Sequence, residues 1–374
     1  MITIPKHART LEPYQAGKPI SELAREKELS RIVKLASNEN PFGPSPKAAA
    51  AVRQAIGELH RYVDPRSNEL VAAIAERFGR NPSQIICAHG TDALLGYIIN
   101  AFTSEQDELL TSEGTFIGIY VNTNKLARKL SLVSLKEYTF DLEALSDSIS
   151  ADTKIIYLAN PNNPTGTMFT ADRFEAFMNR VPEKVLVILD EAYNAYVAQH
   201  DGYWDGLCYH YKNLIVTRSL SKVYGLAGLR IGFAAGPEHL IDALYKIKLP
   251  FEPNRLAQVA AMAALDDEEF LQRTIETNHR SLARLMSCFE DLHIPYIKTV
   301  TNFVLMLLPT EHHTKRFFER CLDLGLIVRP TKPFGIARGI RISSGSDDET
   351  TFAINVIKQV WTDIMKLKNP SLCD

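Results

Sequence analysis

The chain has 374 residues, 45% of them hydrophobic and 23% charged, and 42 Lys and Arg against 44 Asp and Glu leave a formal net charge of -2. That balance is the globular norm and excludes collagen-like, coiled-coil and disordered classes. It gives no electrostatic footprint for nucleic acid or an anionic membrane, and the length suggests about two domains.

Residues 1–30 read as an N-terminal arm, because Pro13, Gly17 and Pro19 interrupt any regular element there. Met1 to Lys6 shows no apolar stretch before a cleavage site, and no apolar run approaches the roughly 18 residues of a membrane span. The five cysteines are scattered and lack C-x-x-C spacing, which argues against a disulfide framework and a zinc site. A cytoplasmic protein without a metal is the expectation.

From residue 31 onward, short apolar runs alternate with helical patterns, the signature of an α/β domain with a mainly parallel sheet covered by helices. Strands are expected at Ile85–Ala88, Ile155–Ala159, Val185–Leu189 and Leu214–Thr217, whose lack of polar alternation implies burial on both faces. A helix is expected from Ala171 to Arg180, with Thr170 as its N-cap. Pro250 and Pro253 mark a linker, so residues 31–250 form the expected large domain and 251–374 a smaller α+β domain. The latter opens with a helical pattern from Asn254 to Asp291 and continues strand-helix-strand to Ser343.

Four stretches carry chemistry. Ala88-His89-Gly90-Thr91-Asp92 runs from a strand into a helix start, where backbone amides form an anion site. Asn160-Pro-Asn-Asn-Pro-Thr-Gly166 has turn composition but more turn residues than one reversal needs. Asp190, followed by Tyr193, ends a buried strand, where α/β sheets place ligand contacts and where an Asp also commonly caps the next element. In Ser219-Leu-Ser221-Lys222, with Arg230 eight residues on, the lysine follows an apolar strand, where desolvation favours a free amine that attacks carbonyls. The serines and arginine suit a phosphate. Each stretch alone also has an ordinary structural explanation.

In this order the four stretches resemble the fold-type-I aminotransferases that use pyridoxal phosphate, and within them the histidinol-phosphate aminotransferase branch. The resemblance extends through Leu35-Ala-Ser-Asn38-Glu-Asn-Pro, His60-Arg-Tyr62, Arg329-Pro and Arg341-Ile-Ser-Ser-Gly. It implies that Lys222 binds the cofactor as an aldimine and shuttles a proton, that Asp190 pairs with the pyridine nitrogen, and that Asn163 and Tyr193 bond the ring's 3′ oxygen. It further implies a phosphate on the amides of Thr91 and Asp92 beside Ser219, Ser221 and Arg230. Phe116 would stack on the ring, although a plain core aromatic is the commoner fate of a Phe. Arg329 and Arg341 would take the substrate's anionic group, with Tyr14, Asn38, Tyr62 and Asn163 near it. Tyr62 would reach in from the second subunit of a homodimer, where it would also touch the cofactor. The implied reaction is ping-pong exchange between histidinol phosphate and 2-oxoglutarate. An aromatic amino-acid aminotransferase, or a decarboxylase or lyase acting on a phosphorylated amino acid, fits the same scaffold. The sequence departs from the branch at Ala88, His89, Val63, Gly114 and Glu252-Pro253.

Overall fold

The computed structural model describes residues 2–9, 11 and 17–366. Its strands are β1 (Val33–Lys34), β2 (Ile85–Ala88), β3 (Glu108–Ser112), β4 (Lys129–Val133), β5 (Thr153–Ala159), β6 (Leu186–Asp190), β7 (Leu214–Ser219), β8 (Gly232–Ala235), β9 (Tyr296–Ile297), β10 (Phe303–Leu307), β11 (Leu326–Ile327), β12 (Arg329–Pro330) and β13 (Gly339–Ser343).

The central sheet has seven strands in the order β2-β8-β7-β6-β5-β3-β4. The pairs from β7 to β4 are all parallel, and β8 alone runs against both neighbours. The four strand runs expected from the sequence all fall in this sheet. β2 and β6 are buried along their whole length, as strands covered on both faces must be. β8 follows β7 through the loop 220–231 instead of a crossover helix, so it returns antiparallel. That loop carries Lys222 and Arg230.

A second sheet, β12-β13-β10-β9, is antiparallel throughout. Leu285 and Phe289 of the helix Glu268–Asp291, Phe317 of Glu311–Asp323, and Ile357 and Val360 of Asp347–Lys366 join it in a separate apolar core.

The expected helix of the smaller domain is corrected. The helical pattern from Asn254 to Asp291 is two helices, Arg255–Leu265 and Glu268–Asp291. Asn254 caps the first by accepting the Ala257 amide at 3.0 Å, and Asp267 stands at the N-cap of the second while its carboxylate accepts the Ser45 hydroxyl at 2.6 Å. Apolar periodicity runs on both sides of the break and conceals it. Ala257, Ala260, Ala261 and Ala264 pack in the larger core, so packing passes from one core to the other after Leu265 and not at residue 251. The prolines bend the chain without releasing it, because the Lys248 ammonium donates to the carbonyls of Pro65 (2.7 Å) and Glu252 (2.6 Å).

The arm also contains regular structure: the helix Ile20–Glu26 starts directly after Pro19. Proline is no obstacle at a helix start, where its missing N–H has no intrahelical partner to lose. Leu23 of that helix is fully buried with Ala36, Leu322 and Ile327, and β1 pairs with β11, so the chain's beginning is fastened to its last third. At the middle helix, Ala171–Met178, Thr170 occupies the N-cap position without a side-chain cap bond.

Under the sheet lies a charged cluster that the sequence does not announce. Arg218 and Glu191, 3% and 0% exposed, pair through Nε (3.1 Å) and Nη2 (2.7 Å) to Oε2, while Tyr203 and the Gly206 amide donate to Oε1, each at 2.8 Å. Asp205 completes it from the rim. Arg218→Ala is expected to cost about 3–5 kcal/mol, because it strands a buried carboxylate, whereas the double variant Arg218→Met/Glu191→Leu should recover most of that loss. Urea unfolding midpoints of the two variants check both statements.

Candidate active site

Parallel strands end at one edge of a sheet, and this edge gathers the chemistry. Asp190 closes β6, with Ala159 of β5 and Thr217 of β7 opposite it. β2 ends at the same edge, because Ala88 and Ser219 both pair with Gly232. A Cβ on Gly232 would stand 3.1 Å from the Thr91 nitrogen and 2.9 Å from the Arg218 oxygen, so glycine lets the Gly90–Asp92 turn settle beside Ser219–Ser221.

A cavity of about 260 Å³ opens there. It is lined by Thr91, Asp92, Phe116, Asn163, Asp190, Tyr193, Ser219, Ser221, Lys222 and Arg230, and also by Asn38, Arg329 and Arg341. Thus the structure brings together thirteen of the residues singled out from the sequence. Among the described residues, Lys222, Arg230, Arg329 and Arg341 outnumber Asp92, Asp190 and Glu39 on its wall, which favours an anionic occupant.

One end gathers groups of the kind that can meet a phosphate-like anion. The helix Thr91–Phe102 begins at Gly90 with no side-chain cap, leaving its first amides directed at the cavity edge. Gly90 has φ +88, and a Cβ there would meet Arg230 Nη2 at 2.7 Å, so the guanidinium lies tight against this turn. Ser219 Oγ accepts the Ser221 amide at 3.1 Å.

The buried Asp190 carboxylate accepts the Tyr157 hydroxyl at 2.9 Å and the Ala192 amide at 3.2 Å. Burial pushes its pKa up to about 6, against the lowering effect of its donors Tyr157, Thr217 and Ala192. Such a group is stabilised as the anion by a cationic N–H placed beside it. Lys222 donates to the Ser37 carbonyl at 3.3 Å. Desolvation, reinforced by the Arg341 guanidinium, lowers its pKa to about 8, so at pH 7 roughly a tenth of the amine is unprotonated, far more than for an ordinary lysine.

The Asn-Pro stretch is longer than a turn because each asparagine has separate work. Asn160 closes the loop on Phe169, accepting its amide at 3.0 Å and donating to its carbonyl at 3.2 Å. Asn162 donates to the Gly114 carbonyl (2.9 Å) and accepts the Thr115 hydroxyl (2.8 Å), tying down the loop that presents Phe116. Asn163 donates to Tyr193 Oη at 3.2 Å and accepts from Arg341.

Arg329 and Arg341 are direct cross-strand partners on β12 and β13, both buried, and both guanidinium groups lie over the Phe334 ring, at 5.7 and 5.5 Å. Like charges directly opposite one another repel, a cost that a bound anion between them removes. Arg341 also donates to the Ala36 carbonyl at 2.8 Å.

Tyr62 does not join this cavity. It is 83% exposed and stacks on Phe251 with ring centroids 4.4 Å apart. Tyr14 lies outside the described residues. Tyr157 and Phe334 line the cavity and were missed. A Tyr within an otherwise apolar strand is a usable signal, since a buried hydroxyl needs a partner. Phe334 offers no such signal. Two departures from the branch pattern prove to touch each other: Glu252 accepts the His89 amide at 3.3 Å and the Tyr97 hydroxyl at 2.7 Å, so the linker clasps the outside of the anion turn.

The family model "Aminotransferase class I and II" matches residues 30–357. The chain is 41% identical to histidinol-phosphate aminotransferase 2 of Hydrogenovibrio crunogenus over 95% of both chains. It is 37% identical to the histidinol-phosphate aminotransferase of Caldicellulosiruptor saccharolyticus, covering 94% of this chain and 98% of that one. Among solved structures, the histidinol-phosphate aminotransferase of Sinorhizobium meliloti in complex with pyridoxal-5′-phosphate superposes with a TM-score of 0.88 at 28% identity, over 96% of this chain and 98% of that one. With the fold, the strand-end cavity and these relatives in agreement, the chain belongs to the class I and II aminotransferase family.

Proposed function

We propose that this protein is a pyridoxal-phosphate-dependent histidinol-phosphate aminotransferase of histidine biosynthesis, exchanging an amino group between histidinol phosphate and 2-oxoglutarate by a ping-pong route. The observation that carries the reading is the run of groups along one cavity: anion turn, lysine amine, buried carboxylate and paired arginines. The relatives of that name along nearly the full chain support it.

The residues present fit pyridoxal phosphate. The amides of Thr91 and Asp92, the hydroxyls of Ser219 and Ser221 and the Arg230 guanidinium would hold its phosphate. Asp190 would face the ring nitrogen, Asn163 and Tyr193 the ring's 3′ oxygen, and Phe116 the ring face. When bound, the cofactor supplies the electron-accepting ring that amino-group transfer requires. The chain supplies the rest. Lys222 holds and moves the proton at the substrate's α-carbon, a task suited to an amine whose pKa lies near working pH. Asp190 would keep a proton on the ring nitrogen. Arg341, with Arg329 beside it, orients the substrate through its anionic group, and arginine's planar fork suits carboxylate and phosphate alike.

A homodimer with shared cavities is part of this proposal. Ile56, Leu59, Leu249 and Phe251 are exposed, Phe251 stacks on the exposed Tyr62, and exposed apolar side chains of this kind fit a partner chain. Tyr62 would then serve the cavity of the partner subunit.

The test is the absorbance of holoenzyme mixed separately with histidinol phosphate, glutamate and phenylalanine. Conversion of the cofactor to its amine form by the first two, and hardly by phenylalanine, is the expected result. Rapid conversion by phenylalanine with none by histidinol phosphate would reassign the protein as an aromatic amino-acid aminotransferase.

A further inference from the structure

The hydroxyl of Tyr193 is held by an arrangement of donors that leaves its proton one direction to point. Two side-chain amides donate to Tyr193 Oη: Asn38 Nδ2 at 2.8 Å and Asn163 Nδ2 at 3.2 Å. With both lone pairs of the oxygen engaged, its hydrogen is free only to donate, and the side of the residue that remains open is the cavity it lines. Among the described residues, Lys222, Arg341 and Asp190 are the charged groups that act on this tyrosine.

What fixes each amide so that its NH2 end, and not its oxygen, meets Tyr193? For Asn163 the answer lies in the cavity wall: its Oδ1 accepts from Arg341, a side chain that can only donate. For Asn38 the answer lies behind the cavity. Ser343 Oγ accepts the Asn38 backbone amide at 2.9 Å, and its single hydrogen donates to Asn38 Oδ1 at 2.8 Å. The Asn38 carbonyl is pinned as well, accepting from Asn302 Nδ2 at 3.1 Å, and its backbone has φ 55. Asn38 and Ser343 are 1% and 2% exposed, so no water competes for these bonds. Asn38, expected from the sequence to meet substrate, thus has both ends of its amide engaged within the protein.

We propose that Ser343 is a positioning residue which, through Asn38, sets the direction in which Tyr193 offers its hydroxyl proton to the cavity. Ser343 does not line the cavity and lies two residues beyond Arg341 on β13, so the smaller sheet acts on a tyrosine rooted at the end of β6. Without the serine hydroxyl, nothing holds Asn38 Oδ1 away from Tyr193. The amide can then turn, its oxygen takes the tyrosine proton, and the cavity loses a donor.

This inference rests on the reading that the cavity holds pyridoxal phosphate with its ring oxygen near Tyr193. A donor there favours the negatively charged oxygen, so losing it favours the protonated chromophore. The test is a pH titration of the visible absorbance of purified holoenzyme. In Ser343→Ala the midpoint should rise by about one pH unit, a tenfold change in proton affinity. Tyr193→Phe sets the upper bound of the effect, and Ser343→Ala/Tyr193→Phe should shift no further than Tyr193→Phe alone, because the serine acts only through the tyrosine. Thermal melts establish that each variant is folded; if the alanine variant is not, Ser343→Cys, which keeps the bulk and weakens the donor, takes its place with a rise of the same sign. A folded, loaded variant with the wild-type midpoint, or additive shifts in the double variant, overturns the relay and leaves the aminotransferase reading standing. A wild-type chain that takes up no cofactor overturns both.

Discussion

Lys222→Ala will lower amino-group transfer by about 10⁴-fold or more while leaving the fold intact. The expectation follows from where the amine sits. It faces the cavity within reach of the Ser37 carbonyl, and its charge is disfavoured by desolvation and by Arg341. General acid–base catalysis alone contributes about 10²–10⁴ in rate, and here the same amine would also provide the covalent attachment point. A companion observation separates the lysine's chemistry from its bulk. The rate at which apoprotein captures pyridoxal phosphate should climb about tenfold per pH unit below pH 8 and level off above it, because only the neutral amine attacks an aldehyde. The sign follows from the lowered pKa: protonation removes the nucleophile, so acid slows capture. Stopped-flow absorbance reads both effects, and a flat capture rate from pH 6 to 9 would remove Lys222 from the role.

The second large effect is a split between substrates. Arg329→Gln should lower kcat/KM for histidinol phosphate by about 10²-fold and for an aromatic amino acid by only a few fold. Arg341→Gln should cripple both. A hydrogen bond to a charged group contributes about 1.5–3 kcal/mol, so the loss of a guanidinium fork corresponds to that range of rates. The asymmetry arises from the contacts. Arg341 is bound to Asn163 and to the Ala36 carbonyl, so its loss disturbs the asparagine beside Tyr193 as well as any bound anion. Equal losses for both substrates in Arg329→Gln would mean that the arginine pair does not distinguish a phosphate ester from an α-carboxylate. Steady-state kinetics with the two donors decides between these outcomes.

The parts of this molecule that could be read before folding are those in which one residue type does one job. β2, β5, β6 and β7 stand out because strands covered on both faces need unbroken runs of β-branched and aliphatic residues. Asp190 and Lys222 stand out because charged residues at the ends of such runs are costly unless they serve a ligand, and Arg230 by its place eight residues after Lys222. The rest depended on information that no local pattern holds. The break at Asp266–Asp267 is invisible because the apolar faces of the two helices continue the same periodicity, and only the Ser45 hydroxyl on Asp267 reveals a junction. Pro19 signalled a breaker but heads a helix, because the same residue serves both purposes and burial of Leu23 decides which. Tyr157 looked like core until the register placed it one pleat back from Ala159, the partner of Asp190. Asn38 and Ser343, 305 positions apart, meet only because the chain's beginning is woven into the smaller sheet.

The reversal of β8 carries a further implication, concerning what this chain can tolerate. Loops at the rim of a parallel sheet are ordinarily free to lengthen, since each ends in a helix that absorbs the change. The segment from Leu220 to Ile231 has no such freedom, for it is anchored at Ser219 and Gly232, two residues that pair across adjacent strands. Lys222 stands three positions from one anchor and Arg230 two positions from the other. The Lys222 amine and the Arg230 guanidinium are therefore spaced by a single tethered span, and adding or deleting even one residue would move both out of register together. Variation in chain length should therefore accumulate elsewhere on this rim, while this span keeps its length even where its residues change.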